Sequence, residues 1–226
     1  MRVVTYATNL NNRYLNYLAT KLDVAILPEL IPWGGFWQGK YIHDFYAKSY
    51  SLNKFLEDID PDEIIVVADA YDVLPLNGCN MVLLEKRINE VFDLNKVTFC
   101  AEENCFPEES LSTLYPKQSH RWKYLNAGLY AGRSKLVKQM LDLTLDKIQG
   151  SMDQLEFAKL FLAKNLIDLD YKCEIFQSLY HTNDLKINWD DYDINGNTIK
   201  NRVFHTHPLL FHGNGGVNIS GLLGLL

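Results

Sequence analysis

The chain has no long hydrophobic run, no excess of positive charge and no cysteine spacing of the metal-knuckle kind. Its apolar stretches, such as Glu63–Ala68 with its flanks, fall far short of the ~20 residues that a helix needs to cross a bilayer. No membrane span is therefore expected. Lysine and arginine number 22 against 28 acidic residues, a net charge of −6. That balance excludes a nucleic-acid backbone as the main partner, but not a phosphate ligand held through a metal ion. The four cysteines, Cys79, Cys100, Cys105 and Cys173, form no Cys-x-x-Cys pair, which argues against a thiolate zinc site. Reduced thiols in or near the core are the simplest reading, with Cys100–Cys105 or Cys79–Cys173 open as disulfides. There is no internal repeat, low-complexity tract or polar linker, so residues 1–226 read as one domain. The opening MRVVTYAT lacks the apolar region of a secretory leader. A chain complete at this Met is expected in the cytoplasm; otherwise it is a mature form with its leader removed.

What is present is a 47% hydrophobic chain of 226 residues, enough for a sizeable core. β-rich runs at Arg2–Tyr6, Asp23–Leu27, Asp62–Ala68 and Lys96–Ala101 alternate with helical spacing at 11–21, Phe45–Leu56 and Met81–Phe92. The alternation continues through Tyr124–Gly132, Lys135–Ile148 and Met152–Asn165. This order predicts an α/β fold, a mostly parallel sheet with helices on both sides. Pro28–Lys40, with IPWGGFWQGK, reads as a long loop, and Trp33–Trp37 as a segment able to close over a ligand. Ligands in such sheets sit at the carboxyl ends of the strands.

The residues after the strand EIIVVA are Asp69-Ala70-Tyr71-Asp72. Two carboxylates leaving a buried strand together repel unless a divalent cation joins them, and hard oxygen ligands suit Mg²⁺ or Mn²⁺. Taken alone the motif is equally a solvated turn. Near the other end, His212-Gly213-Asn214-Gly215-Gly216 combines an imidazole with glycines that let backbone N–H groups approach a phosphate. A capping histidine and a plain turn would look the same. Tyr124–Gly132 holds Asn126 and two glycines within a strand-like run, which suggests close approach of a ligand. Asp153-Gln154 opens the helix DQLEFAKLFL, where aspartate serves as a cap or first-turn acid. Cys105-Phe106-Pro107 and Asp168-Leu169-Asp170 are weaker signals, the latter most simply a strand end or turn.

In order, ADAYD, FCAEENCFPE, YLNAGLYAG, DQLEF, LDYKCEIFQSL and HGNGG resemble the glycosyltransferase domain of the multifunctional procollagen lysyl hydroxylases. The run is also similar to stand-alone collagen glucosyltransferases, and the resemblance covers roughly Val3 to Leu222. It implies a GT-A fold, Mn²⁺, a UDP-glucose donor and retaining glucosylation of galactosyl-hydroxylysine in a collagen-like glycopeptide. Relatives of this kind work in the endoplasmic reticulum lumen. Carried over by position, the resemblance makes Asp69, Asp72 and His212 the metal ligands. It puts Thr8 and Tyr71 on the nucleoside, Lys48 near the donor, and Asn214 and Gly215 on the diphosphate. Asp153 and Asn126 become the catalytic pair, with Glu102 or Asp168 next in line should Asp153 fail. The sequence departs from the pattern at three places. Met152 replaces an acid, Phe106 a tryptophan, and Asn218 a lysine. Two rivals remain: a transferase with another glycan or small-molecule acceptor, and an inactive sugar-nucleotide or collagen-binding module.

Overall fold

The computed structural model describes residues 1–31, 35–37, 40–42, 44–181 and 185–224, with the backbone alone at 35–37, 40–42 and 44. The chain runs β1 (Arg2–Tyr6), α1 (Arg13–Lys21), β2 (Val24–Leu27), a short pair β3 (Gly35–Trp37) and β4 (Lys40–Ile42), then α2 (Asp44–Phe55) and β5 (Ile64–Ala68). Next come β6 (Val73–Pro75), α3 (Met81–Val91), β7 (Val97–Glu102), β8 (Tyr124–Arg133), α4 (Ser134–Ile148) and α5 (Asp153–Ala163). The last part holds β9 (Ile167–Asp170), β10 (Phe176–Ser178), β11 (Tyr192–Asn195), β12 (Thr198–Asn201), β13 (Leu210–His212) and α6 (Ser220–Leu223).

Six strands form the central sheet in the order β2-β1-β5-β8-β7-β9. β1 pairs parallel with β2 and β5, and β7 with β9, while β8 runs antiparallel to both of its neighbours. Five strands therefore point one way, the mostly parallel sheet expected. Side chains alternate across it: Ile65 and Val67 face α2, α4 and α5, whereas Ile64, Val66 and Ala68 face α1 and α3. All five β5 residues are buried, which is why the run reads as unbroken apolar. Each such Ile or Val contributes on the order of 1.5–3 kcal/mol by leaving water. Asn12 and Asn80 cap α1 and α3, their side chains accepting the first free backbone N–H groups.

A second sheet, β10-β13-β6, lies at the carboxyl end of β5. Its own apolar layer includes Leu74, Phe211, Tyr192 and Ile219. β13 is antiparallel to β6, with His212 opposite Val73. The end of β13 is thereby pinned to the segment just after β5, and the Gly213 N–H donates to the Asp72 carbonyl at 2.8 Å.

One expectation changes. The Pro28–Lys40 loop contains β3, paired antiparallel with β4. Trp33 and the Trp37 side chain, and with them the closing role given to Trp33–Trp37, lie outside the described residues. Of the two readings of Asp168-Leu169-Asp170, strand end or turn, the strand end holds, since it closes edge strand β9. All four cysteines are free thiols, so neither disulfide forms. Three of them are buried, and burial raises the Cys79 thiol to about 12. Among the described residues no helix is long and apolar enough to cross a membrane.

Candidate active site

The carboxyl ends of β5 and β7, the amino-terminal half of the antiparallel β8 and the turn after β13 meet at one cleft. Asp69, Asp72 and His212 come together there from opposite ends of the chain. Each offers one ligand atom, and those atoms lie within 4.8 Å of one another. His212 Nε2 is 3.4 Å from Asp72 Oδ2 and 3.7 Å from Asp69 Oδ2. Among the described residues this is the one such cluster of three.

The imidazole is oriented from behind. Asn126 Oδ1 accepts the Gly128 backbone N–H at 3.0 Å, which fixes that atom as the oxygen, and His212 Nδ1 lies 2.8 Å from it. Nδ1 therefore donates, and Nε2 is turned toward the carboxylates, the arrangement that a metal-ligating histidine needs. Burial alone would lower the His212 pKa. Asp72 and Asp69 outweigh it and hold the imidazole above its ordinary value. Two carboxylates that draw a proton to Nε2 will draw a divalent cation to the same place. Hard oxygens with one imidazole fit Mn²⁺ or Mg²⁺ better than a thiophilic ion.

Gly128 explains one glycine of YLNAGLYAG. A Cβ there would stand 2.0 Å from His212 Cε1, so only glycine lets β8 pass beneath the ring. Gly128→Ala should displace the imidazole. We expect a loss of about 1–3 kcal/mol of stability from overpacking and at least ~10-fold weaker Mn²⁺ binding, read by thermal melting and calorimetry. Unchanged Mn²⁺ affinity would show that His212 does not hold the ion. Gly215 is the second constrained glycine, with φ +65° and a hypothetical Cβ 2.7 Å from the Tyr180 ring.

Lys48 is buried, with Nζ 2.5 Å from Asp69 Oδ1 and 3.9 Å from Asp153 Oδ2. Burial works against its charge, but Asp69 and Asp153 together hold its pKa above the ordinary value. Burial likewise opposes ionisation of Asp69, and Lys48 and His212 overcome it, so the carboxyl stays below its usual range. Lys48 thus ties a cation-facing carboxylate to Asp153.

Asp153 is buried at the first position of α5, the cap being Met152. Its Oδ1 accepts the Gln154 backbone N–H at 2.7 Å. It is a first-turn acid rather than a cap. Glu102, at the end of β7, is the residue whose weight the sequence did not reveal. Its Oε1 accepts from Gln154 Nε2 at 2.7 Å and Asn126 Nδ2 at 3.2 Å, and its Oε2 from Asn214 Nδ2 at 2.9 Å. Burial pushes its carboxyl up to about 7 in spite of those amides. The acidic pair in FCAEENCFPE was the available signal. Asp168, the other reserve candidate, sits on edge strand β9 and lines a different depression with Val91, Phe92 and Lys172.

The cleft has two lobes that share Phe45, Lys48, Asp69 and Asp72. One, of about 450 Å³, is lined by Tyr6, Tyr14, Tyr71 and Asn218. The other, of about 490 Å³, is lined by Glu102, Asn104, Asn126, Asp153, Gln154 and Tyr180 among others. Thr8 is exposed at the rim of the first. The Tyr71 hydroxyl accepts the backbone N–H groups of Thr8 and Asn9, each at 2.6 Å. Asn214 is buried with its Oδ1 accepting from Leu179 and Tyr180 N–H groups. Its side chain is thus engaged at both ends, and since the Gly213 N–H is taken by the Asp72 carbonyl, the backbone of residues 214–216 is what faces the cleft. Asn218 Oδ1 accepts the Ser220 N–H at 2.9 Å just before α6, an uncharged side chain where the resemblance has a lysine. Asp69, Asp72, His212, Lys48, Tyr71, Asn126, Asp153, Asn214 and Gly215 therefore line this cleft, with Thr8 beside it through Tyr71, whereas Asp168 does not.

Comparison with known proteins agrees with this geometry. The sequence pattern of the PLOD GT domain matches residues 1–223. An uncharacterized protein of Acanthamoeba polyphaga mimivirus is 34% identical over 79% of this chain and 38% of its own length. The procollagen-lysine,2-oxoglutarate 5-dioxygenase of Drosophila melanogaster is 29% identical over 95% of this chain and 30% of its own. The multifunctional procollagen lysine hydroxylase and glycosyltransferase LH3 of Homo sapiens is 27% identical over 94% and 29%. The chain thus spans about a third of the length of these curated relatives. Among solved structures, an active-site mutant of LgtC superposes with a TM-score of 0.56 at 15% identity, covering 100% of this chain and 94% of that one. The galactosyltransferase LgtC with donor and acceptor sugar analogs gives 0.53 at 15%, over 95% and 87%. The fold is GT-A.

Proposed function

This chain belongs to the PLOD GT domain family of glycosyltransferases, and from that premise we propose that it transfers glucose from UDP-glucose to galactosyl-hydroxylysine of a collagen-like glycopeptide, with Mn²⁺ and retention of configuration. The observation that carries the reading is the meeting of Asp69, Asp72 and His212 where the two lobes join. A nucleoside fits the tyrosine-lined lobe, a hexose fits the amide- and acid-lined one, and the diphosphate between them falls at the carboxylates.

In this reading Asp69, Asp72 and His212 hold the ion, which supplies charge neutralisation for the departing diphosphate. The remaining work falls to the chain itself. Backbone N–H groups of residues 214–216 would face phosphate oxygens. Lys48 keeps Asp69 ionised. Asn126 keeps Nε2 of His212 turned outward, a positioning role rather than a contact with the reacting atoms. The anomeric C–O bond breaks with its electron pair leaving on UDP. The acceptor oxygen forms the new bond, and its proton passes to the leaving phosphate. Asp153 stabilises the positive charge that grows on the sugar between those events.

The test is UDP release with and without a galactosyl-hydroxylysine peptide. Release only with the peptide supports the proposal. Release with other glycans supports a different acceptor, and donor binding without turnover supports an inactive binding module. That last reading draws on Met152 and Asn218, each standing where the family resemblance carries a charged residue. A further expectation concerns Tyr71. Tyr71→Ala removes a ring from the nucleoside lobe and frees the Thr8 and Asn9 N–H groups. Donor KM should rise about 10-fold while kcat at saturation stays within roughly 3-fold, since this is uniform binding. A fall in kcat alone would move Tyr71 out of the nucleoside lobe.

A further inference from the structure

We propose that Asn104 determines sugar specificity by hydrogen bonding to adjacent hydroxyls of a hexose, an inference that rests on the glycosyl-transfer reading above. The argument starts from which polar groups in the sugar lobe are already satisfied. The Asn126 amide is divided between His212, Gly128 and Glu102. Gln154 Oε1 accepts the Ala127 N–H at 3.0 Å, and its Nε2 donates to Glu102 and to the Phe106 carbonyl. Asn214 is divided between two backbone N–H groups and Glu102. Asn104 lines the same lobe and is half-buried, and its side chain makes no hydrogen bond among the described residues. Fully buried amides are ordinarily paired, whereas a half-buried one keeps its edge open to the cleft. One left open in a wall whose other amides are each held by two or more internal partners is placed to meet a ligand.

The chemistry selects the ligand. A carboxamide presents one acceptor oxygen and two donor hydrogens side by side. Two neighbouring sugar hydroxyls, each both donor and acceptor, complement that edge. A phosphate or carboxylate has no proton to give Oδ1. The mounting is firm, since the Phe106 N–H donates to the Asn104 carbonyl at 3.0 Å and the Phe106 carbonyl is held by Gln154 at 3.0 Å. The Phe106 side of this turn stays 54% exposed, giving an apolar surface beside the amide. An apolar face next to a rigid carboxamide suits the C–H face and hydroxyl edge of a pyranose. The hexose is either the transferred sugar or the acceptor sugar.

Asn104→Ala should fold normally, because no internal hydrogen bond is lost, and thermal melting checks this. Asn104→Asp, which keeps the shape and the acceptors but loses the donors, is the second variant. Each is assayed with the parent substrates and with singly deoxygenated hexoses in the donor and in the acceptor. With parent substrates Asn104→Ala should lower kcat/KM about 10-fold, the size of a lost hydroxyl contact. For one deoxy position the wild type should suffer a like loss and Asn104→Ala no further one, a coupling that a structural role would not produce. Coupling on the donor series assigns the transferred sugar, and coupling on the acceptor series assigns the acceptor. Equal losses at every deoxy position in both proteins, or parent activity unchanged in Asn104→Ala, overturns the assignment. The same cycle is read as calorimetric Kd of UDP-hexose against UDP. Coupling in binding from a protein that transfers nothing sinks the transferase reading and keeps this one. A wild type that binds UDP-hexose no better than UDP, and no acceptor glycan, sinks both.

Discussion

Stripping divalent cations from the protein should reduce UDP release at least ~10³-fold, and Mn²⁺ should restore it. The size follows from the charge at the junction of the lobes. Asp69, Asp72, Glu102 and Asp153 face Lys48 and one histidine there, and Lys48 is already paired with Asp69. A diphosphate entering that place without a cation meets carboxylates. Losing the ion removes both its binding and the stabilisation of the leaving group, several kcal/mol in sum. Variants of the three ligands should not be equivalent. Asp69→Asn also strips Lys48 of its nearest partner and leaves a buried ammonium with Asp153 at 3.9 Å. It should lower the melting temperature as well as activity, because the buried ammonium loses its nearest counter-charge. Asp72→Asn touches only the cation-facing cluster and should leave melting within a few degrees. It should raise the Mn²⁺ concentration needed for half activity by ~10²-fold. The measurement is a Mn²⁺ titration of turnover beside a melting curve for each variant. Full turnover in a demetallated sample would end the metal reading, whatever the variants do.

The parts of this site that could be read in the sequence are those that follow a strand directly. Ile64–Ala68 is apolar without interruption because both faces are covered, so Asp69 and Asp72 announce themselves as the residues leaving a buried strand. His212 and the glycines after it are legible as types, but only the pairing of β13 with β6 brings them to Asp72. Strands of three residues carry too little periodicity to be seen, and the β10-β13-β6 sheet was therefore missed. The Glu102 hub is invisible for another reason. Its three amide partners, Asn126, Gln154 and Asn214, lie 24, 52 and 112 residues away. They meet because β8 lies beside β7 and because the 213–216 turn folds over both. Asn126 and Asn214, assigned to the site from the sequence, both line the cleft. Their work, orienting His212 and anchoring the turn, became evident only from hydrogen bonds. Gly128 is the converse case: the sequence signalled a close approach, and the structure supplies the His212 ring as the thing approached.

Asp153→Asn should cut kcat by ~10²-fold or more while leaving UDP-glucose affinity within about 3-fold. The variant is unusually clean. Asp153 Oδ1 accepts the Gln154 N–H, and an asparagine oxygen accepts it equally well. Lys48 keeps its 2.5 Å contact with Asp69, so no buried ammonium is left alone. What disappears is one negative charge at the first turn of α5, worth roughly 0.3–1 kcal/mol to the helix, together with the longer of the two carboxylate contacts to Lys48, at 3.9 Å, and melting should fall by only a few degrees. If the residue were merely a first-turn acid, that would be the whole effect. In the catalytic reading the charge stands beside a sugar that is neutral in the ground state and positive as its bond to UDP breaks. Its loss then falls on the transition state alone, on the order of ~3 kcal/mol. Met152, next to it, is uncharged, so no second carboxylate from this turn stands in for the one removed. Turnover, donor affinity and melting temperature measured on the same preparation separate the two cases. Asn turnover near wild type with normal melting would shift the catalytic role to Glu102, which faces the same lobe with its pKa raised by burial. The corresponding Glu102→Gln variant should then show the kcat loss. Loss of melting temperature and donor affinity together in Asp153→Asn would instead mean that the charge holds Lys48 and the cleft in shape, and that chemistry lies elsewhere.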